Sequence, residues 1–162
     1  MGDLRSTSGA DHLRRLSQVR RRQHAAPALE TVLIVAPDAA ETASLTAMIR
    51  VVAGYSVRVI AVATLGSAVD TLGVERPDLV VLDDRLQRDG VGGVRIFRQI
   101  GYRGAVAVVS RSPDRHRRQR LAAAGASAVL DRAGLHPMDL IEIVLARPPL
   151  RRTVSPTRIA AE

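Results

Sequence analysis

The residue of this chain best placed for chemistry is Asp83, which stands at the end of an apolar run in the segment PDLVVLDDRLQRDG. No polar residue interrupts Leu79 to Leu82, and the run lies between a Pro-Asp turn and a Gly-containing loop. Such a run is typical of a strand that is buried on both faces of a parallel sheet covered by helices. Because ligands bind at the carboxyl ends of the strands in sheets of this kind, we expect any functional site to be centred on Asp83.

Several other kinds of site are excluded or disfavoured by composition. The chain has 162 residues and no Cys, which excludes disulfides, a thiol nucleophile and a thiolate metal site. All 24 basic residues are Arg, so no mechanism that needs a lysine, such as a phosphate-binding loop, is available. The four His show no ligand spacing, which argues against zinc. No acid pair, or nucleophile with a base, assembles around Asp83, and we do not expect an enzyme.

The remaining sequence alternates between apolar runs and amphipathic segments, which predicts five strands and five helices between residues 31 and 147. Alternation with short connections indicates a parallel sheet with helices on both faces. A dinucleotide site is disfavoured because APDAAE, and no glycine fingerprint, follows the first strand. The predicted strands are Thr31 to Val35, Val57 to Val62, Leu79 to Leu82, Ala105 to Val109 with Ser110 at its end, and Ala128 to Leu130.

The helix boundaries are predicted from capping residues. Asp38 and Glu41 have the spacing of a capping box that opens the first helix, and Thr64 can cap the second. Ser112, followed by Pro113 at the first helical position, predicts the start of the fourth helix. Pro137 is predicted to begin the fifth helix and Pro148-Pro149 to end it. The predicted inward-facing residues include Val94, Phe97 and Ile100 in the third helix, and Met138, Ile141, Val144 and Leu145 in the fifth.

The two ends of the chain, residues 1–30 and 148–162, are predicted to be tails on one domain that spans residues 31–147. Asp11 to Arg22 has three apolar residues at helical spacing, which are too few to anchor a stable helix, although a partner-binding or dimerising helix is the alternative. No run approaches the roughly 18 apolar residues that cross a bilayer. We therefore expect a cytoplasmic protein that does not bind membranes.

The formal net charge of +8 is concentrated in places, notably in Arg111 to Arg120, where five Arg stand against one Asp. Such a run is most often a solvated face, but it can also attract nucleic acid or an acidic protein.

Over about residues 31 to 146, the chain resembles the receiver domains of two-component response regulators, the CheY-like superfamily. The resemblance rests on LIV in the first strand, GY before the second, PDLVVLD in the third, VVS in the fourth and GASAVL before and within the fifth. It implies a flavodoxin-like, doubly wound α/β fold whose five parallel strands have the order 2-1-3-4-5, with five helices. It also implies a bacterial protein of phosphorelay signal transduction.

The resemblance assigns roles to three residues. Asp83 corresponds to the aspartate that accepts a phosphoryl group from a histidine kinase, with Mg²⁺ neutralising the phosphate charge. Ser110 corresponds to the Ser or Thr of the phosphate pocket. Arg132 stands where receivers have a lysine, and its planar guanidinium is not equivalent to a compact ammonium group.

The site also departs from the family at several positions. The acid pair that usually holds Mg²⁺ is replaced by Ala36 and Pro37, which leaves Asp83 and the nearby Asp38 as weak candidate ligands. The aromatic switch position is Val129, and Gln87 stands where Pro is common. An ion pair between Arg132 and Asp83 is therefore expected to occupy the pocket that metal and phosphate normally fill.

These observations predict a degenerate receiver, or pseudo-receiver, that acts by protein binding and whose phosphorylation is impaired. The expected surface comprises the fourth helix, fifth strand and fifth helix, and would contact a histidine kinase or a downstream effector, with a homodimer also possible. One alternative is a working phosphoacceptor in which Asp38 or Asp84 helps to hold metal, and another is a basic nucleic-acid-binding accessory protein. The candidate partner-binding residues are Arg115, Arg117, Arg118 and Arg120.

Overall fold

A five-stranded parallel sheet forms the centre of residues 29–87 and 90–146, which are the residues that the computed structural model describes. The strands are β1 (Thr31–Val35), β2 (Arg58–Val62), β3 (Leu79–Asp83), β4 (Ala105–Ser110) and β5 (Ala128–Asp131). Their order in the sheet is β2-β1-β3-β4-β5, and every neighbouring pair is parallel. The predicted fold class and strand order are therefore confirmed, and the predicted strand ends are correct to within one residue.

A helix follows each strand, as the alternating pattern predicts. The helices are α1 (Ala39–Ala53), α2 (Leu65–Val74), α3 (Val91–Gln99), α4 (Arg115–Ala124) and α5 (Pro137–Leu145), with short 3₁₀ turns at Asp84–Gln87 and Arg132–Gly134. Among the described residues, no helix has both the length and the apolar character needed to cross a membrane.

Two aliphatic cores lie on opposite faces of the sheet, because alternate side chains of each strand point to opposite sides. Val81 of β3 packs with α1 and α5 on one face, while Leu82 packs with α2, α3 and α4 on the other. All five residues of β3 are buried. This double burial explains the uninterrupted apolar run before Asp83 and holds its Cα rigidly at the carboxyl end of the central strand.

The start of α1 confirms one half of the predicted capping box. Asp38 is the N-cap, and its Oδ1 accepts a hydrogen bond of 2.9 Å from the backbone N–H of Glu41. The Glu41 side chain does not complete a capping box but points to the carboxyl end of the sheet, where it meets Arg85 and Arg132. The predicted cap of α2 is confirmed, since Thr64 Oγ1 accepts from the backbone N–H of Ser67 at 3.1 Å.

The predicted start of α4 is wrong by two residues. Its N-cap is Asp114, whose Oδ1 accepts from the backbone N–H of Arg117 at 2.7 Å. Ser112 precedes the helix with a φ of 45°, and Pro113 also lies outside it. Both Ser and Asp are good N-caps, but the carboxylate of Asp114 also interacts favourably with the positive end of the helix dipole.

Two inward-facing assignments are wrong. Ile100 is 47% exposed because α3 ends one residue earlier and Ile100 is its C-cap. Met138 is 62% exposed, and Leu140 and Ile143 are the residues of α5 buried against the sheet. The helix register places these two on one face and Met138 away from it. The side chains of Ile141, Val144 and Leu145 lie outside the described residues. So do the segment Asp11 to Arg22, for which a helix is the alternative prediction, and the predicted proline stop at 148–149.

Candidate functional site

The candidate site lies at the carboxyl edge of the sheet, where β3 and β4 end beside each other. Asp83, the last residue of β3, is 1% exposed, and Ser110, the last residue of β4, is fully buried. Ser110 pairs in register with Asp131 at the end of β5, and Arg132 follows directly. The structure therefore brings together the three residues that the resemblance singles out.

The Asp83 carboxylate is enclosed by the residue two positions after it, Arg85. Asp83 Oδ1 accepts from the backbone N–H of Arg85 at 2.9 Å and from its Nε at 3.1 Å. Oδ2 accepts from Arg85 Nε at 2.9 Å and from Nη2 at 2.6 Å. The guanidinium of Arg85 therefore binds both carboxylate oxygens, which is the geometry of a strong, charge-assisted pair.

A second arginine binds the same carboxylate. Arg132 Nη2 donates to Asp83 Oδ1 at 2.8 Å, which is the ion pair expected from the sequence. Glu41, near the start of α1, joins the two arginines because its Oε2 accepts from Arg85 Nη2 while its Oε1 lies 2.7 Å from Arg132 Nε. The Arg132 contact is close but is not an aligned hydrogen bond, since Nε has no hydrogen-bond partner. We call the closed set Asp83, Glu41, Arg85 and Arg132 the arginine clamp.

The charges of the arginine clamp balance, with two carboxylates against two guanidinium groups. Burial by itself would raise the pKa of Asp83, but hydrogen bonds from the side chain and backbone of Arg85, and from Arg132, outweigh burial and lower the pKa to about 2. The pKa of Glu41 is raised, first by burial and then by the neighbouring Asp83 carboxylate. The pKa of Arg85 is raised by its hydrogen bond to Asp83. Asp83 is therefore an ionised, fully paired carboxylate at neutral pH.

Next to the clamp, Arg117 of α4 reaches Ser110 and Asp84. Its Nη1 lies 3.4 Å from Ser110 Oγ and 3.4 Å from Asp84 Oδ2. Asp84 is buried, and its Oδ1 is 4.0 Å from Arg132 Nη2. Arg117 therefore connects the helix of the predicted binding surface to the acidic site.

The other arginines predicted to bind a partner differ in their surroundings. Arg118 donates to the backbone carbonyls of Pro113, at 3.1 Å, and of Val129 in the edge strand β5, at 2.8 Å. Arg115 and Arg120 are exposed. The arginine run is therefore partly structural, because Arg117 and Arg118 hold α4 against the ends of the strands.

Glu41 and Arg85 are the site residues that sequence reasoning missed. The spacing of Asp38 and Glu41 predicts only a helix cap, although a residue at this position of the first turn can also face the sheet edge. Arg85 follows Asp83 so closely that an i to i+2 contact in a tight turn was foreseeable. The meeting of Glu41 and Arg85, which are 44 positions apart, has no local sequence pattern.

The arrangement of the described residues does not fit a tightly held Mg²⁺. Ala36 and Pro37 offer no side-chain oxygen, and the Oδ1 of Asp38 is engaged in capping α1. No group of three His, Cys, Asp or Glu in the described ranges could hold a metal ion. Both oxygens of Asp83 accept hydrogen bonds from guanidinium groups, whose positive charge repels a divalent cation.

An open depression of about 270 Å³ lies beside the clamp. Its charged lining comprises Arg85, Arg111, Arg132, Glu41 and Asp38, and its remaining lining is Ser44, Leu45, Met48 and Leu135. The depression is therefore lined by both charged and apolar side chains.

Solved structures similar to this chain include response regulators and receiver domains. A putative response regulator from Chloroflexus aurantiacus J-10-fl superposes with a TM-score of 0.62 and 23% identity, covering 73% of this chain and 98% of that one. A response regulator from Thermotoga maritima gives a TM-score of 0.62 and 22% identity, covering 71% of this chain and 93% of that one. The receiver domain of a sensor histidine kinase from Pseudomonas aeruginosa PAO1 has a magnesium ion coordinated in its active-site cleft. It superposes with a TM-score of 0.60 and 23% identity, covering 71% of this chain and 93% of that one.

The chain thus has the CheY-like fold of receiver domains, as its sequence resemblance predicts. Because one such domain holds magnesium in its cleft, Mg²⁺ is compatible with the fold. No protein-family model matches the chain, and no curated protein matches it.

Proposed function

We propose that this chain is a receiver-like module of two-component signalling that acts in the cytoplasm by binding a protein partner, and whose phosphorylation on Asp83 is impaired. The observation that carries this proposal is the arginine clamp. To accept a phosphoryl group, one oxygen of Asp83 must attack phosphorus with a free lone pair while the bond from phosphorus to the donor breaks, which releases the imidazole nitrogen of a phosphohistidine or the carboxylate oxygen of acetyl phosphate. The Asp83 side chain is 0% exposed, and both oxygens accept hydrogen bonds from arginine.

A missing metal site weakens phosphorylation further. Mg²⁺ normally neutralises the incoming phosphate, and it would have to displace Arg85 and Arg132 from Asp83 before it could bind. The guanidinium groups already supply the positive charge that metal and lysine supply in a working receiver. The state of the site is therefore fixed by the chain itself and does not depend on a kinase.

The proposed output surface comprises α4, β5 and α5. Its candidate partner-binding residues are Arg115, Arg117, Arg118 and Arg120, a basic set that suits an acidic protein such as a histidine kinase or an effector. Arg117 bridges this surface to Ser110 and Asp84, so a change at the clamp can alter the position of α4. Nucleic acid is less favoured than protein because no Phe, Tyr or Trp accompanies the arginines of residues 111–120, and single strands bind by stacking on aromatic side chains.

Treatment with acetyl phosphate and Mg²⁺, followed by intact-mass measurement, tests the proposal. A working receiver treated in parallel shows that the donor is active. We expect no phosphoryl adduct on this protein, or one far below that of the working receiver. An adduct that matches the working receiver and is lost in Asp83→Asn would show that the chain is an ordinary phosphoacceptor.

A further inference from the structure

The outer edge of β2 carries backbone hydrogen-bonding groups that the described part of the chain leaves unused. β2 lies at one end of the sheet and pairs along its inner side with β1. At its two ends, the N–H of Arg58 and the carbonyl of Val62 bond, at 2.8 and 3.0 Å, to backbone groups just outside β1. Alternate residues of a strand present their backbone groups to opposite sides, so Val59 and Ala61 face outward. Neither makes a backbone bond on that side within residues 29–87 and 90–146.

This edge lacks the features that usually keep an edge strand from pairing with another chain, which are Pro, a bulge or an outward-pointing charge. The sequence of β2 is RVIAV, and its pairing with β1 is continuous over all five residues. Its charged side chain, Arg58, turns to the end of α2, where it donates to both carboxylate oxygens of Glu75 at 3.0 and 2.9 Å. At the other edge, Arg118 lies against β5, with Nη1 2.8 Å from the carbonyl of Val129. β2 is therefore the less protected of the two edges.

Two apolar side chains near the amino end of β2 are strongly exposed. Tyr55, three residues before β2, is 85% exposed, and Val74, at the end of α2, is 86% exposed. Val74 precedes Glu75, whose carboxylate binds the first residue of β2. Exposed apolar groups beside unused backbone groups are typical of an interaction site, and an added strand is the kind of partner that uses both.

The residue pattern of β2 matches an antiparallel copy of itself. Val59 and Ala61 stand on either side of Ile60, so a two-fold axis at Ile60 puts Val59 of each copy opposite Ala61 of the other. Both are outward-facing residues, and each such pair can exchange two hydrogen bonds. The same axis sets Arg58 opposite Val62, so no like charges face each other.

The charges of α1, the helix between β1 and β2, also suit a second copy. α1 begins at the Asp38 cap and has Arg50 in its last turn, so its two ends carry opposite charges. The two-fold axis reverses the direction of α1 in the second copy. The acidic end of each α1 then lies on the same side as the basic end of the other, and the two helix dipoles run in opposite directions.

We propose that β2 is the interface of a homodimer, in which the sheets of two copies join across a two-fold axis at Ile60 into one continuous sheet. The surface of α4, β5 and α5 lies at the far end of each sheet and stays accessible. The dimer therefore carries two copies of the proposed output surface, but its formation depends neither on that surface nor on phosphorylation.

A disulfide test is available because the chain has no Cys of its own. The axis makes the two copies of Ile60 a non-hydrogen-bonded pair with Cα atoms about 4.5 Å apart, which a disulfide can span. Oxidation of full-length Ile60→Cys should therefore give a covalent dimer on a non-reducing gel. Val62→Cys is the matched control, since Val62 is also partly buried on the same face, but its two copies lie roughly 14 Å apart. It should stay monomeric.

Sedimentation equilibrium measures the dimer without a covalent link. Ala61→Pro removes an outward N–H that the monomer does not need, and the dimer Kd should rise at least about tenfold because each copy loses a donor. Ala128→Pro is the control on the edge of β5, where Ala128 faces outward because the N–H of Ser127 bonds to β4. It should leave the Kd unchanged.

The proposal is overturned if the unaltered chain is monomeric at every concentration, or if Ile60→Cys cross-links no better than Val62→Cys. It is also overturned if Ala128→Pro weakens the dimer as much as Ala61→Pro does, since the contact would then not be specific to β2. None of these results affects the acetyl phosphate experiment, so the two proposals can fail separately.

Discussion

Asp83 and Glu41 have four carboxylate oxygens between them, and the guanidinium groups of Arg85 and Arg132 lie against both acids. Without the two arginines, the two carboxylates would repel each other and could bind a cation. Arg85 is the more exposed of the two arginines, with 36% of its side chain accessible against 18% for Arg132. Its removal is therefore the least disruptive way to open the clamp.

Replacing Arg85 with Gln is expected to create a divalent-cation site. The change removes one positive charge beside Asp83 and Glu41, and at about 4 Å such a charge opposes each unit of incoming cation charge by roughly 4 kcal/mol at an effective dielectric of 20. Because a flexible arginine can also swing aside, we expect Mg²⁺ affinity to rise by at least about tenfold. Mg²⁺ titration followed by NMR shifts at Asp83 and Glu41 measures it.

Arg95→Gln is the control for this experiment, because Arg95 is an exposed residue of α3 and no described contact involves it. If Arg85→Gln binds Mg²⁺ no better than Arg95→Gln, then Arg85 is not what excludes the metal.

At the scale of elements, Arg98 joins three parts of the chain near the end of α3. Its Nε and Nη2 donate to the backbone carbonyl of Gly125, at 3.1 and 2.6 Å, and its Nη1 donates to those of Tyr102 and Gly104, at 2.9 and 2.8 Å. Burial lowers the pKa of Arg98. One side chain thus ties α3 to the turns that precede β4 and β5.

Replacing Arg98 with Met should lower the free energy of unfolding by about 2–3 kcal/mol, because partly buried carbonyls lose charged donors. Urea unfolding measures the loss. Arg95→Met is the control, since it makes the same change at an exposed position of the same helix. It should lower the free energy of unfolding by less than about 0.5 kcal/mol. Equal stability of the two variants would show that Arg98 has no such role.

The start of α4 allows a test of which residue is its cap. Asp114→Ala should reduce the free energy of unfolding by about 1 kcal/mol, because the N–H of Arg117 loses its acceptor. Ser112→Gly should be stabilising by up to about 1 kcal/mol, because glycine adopts the φ of 45° without a steric cost. Thermal unfolding measures both. Destabilisation by Ser112→Gly, with no effect of Asp114→Ala, would restore Ser112 as the cap.

At the scale of the whole molecule, alternation of strand and helix made the parallel sheet predictable, the resemblance to receiver domains implied its strand order, and the apolar run placed Asp83 at the carboxyl edge. Local patterns were less informative where two residues compete for one role, as Ser112 and Asp114 do. They did not predict the complete clamp, because Glu41 in the first turn of α1 meets Arg85 and Arg132 only once the sheet has formed. The pair of Arg132 with Asp83 was expected only from the resemblance to receiver domains. Departures at Ala36 and Pro37 indicated that the usual metal site is altered, but not that Arg85 replaces it.

The clamp should also shape the pH dependence of global stability. The pKa of Asp83 is lowered from 3.8 to about 2, so the unfolded chain binds this proton more readily, and the stabilisation that is complete above pH 4 is lost as the pH falls toward 2. The pKa of Glu41 is raised above 4.5, so its contribution has the opposite sign and stability declines as the pH rises past that value. The clamp's contribution to the free energy of unfolding is therefore expected to be largest at a pH between the ranges in which Asp83 and Glu41 titrate.

The variant Asp83→Asn separates the contribution of Asp83 to the pH dependence from that of Glu41. It should lower the free energy of unfolding by about 1–3 kcal/mol at pH 7, since Arg85 and Arg132 lose their shared carboxylate. It should also flatten the rise of stability between pH 2 and 4. A site made of unpaired acids would behave in the opposite way, because neutralising one acid would relieve repulsion and stabilise the fold. Urea unfolding at a series of pH values gives the sign directly. If Asp83→Asn is more stable than the unaltered chain at pH 7, the arginines do not clamp Asp83 in solution.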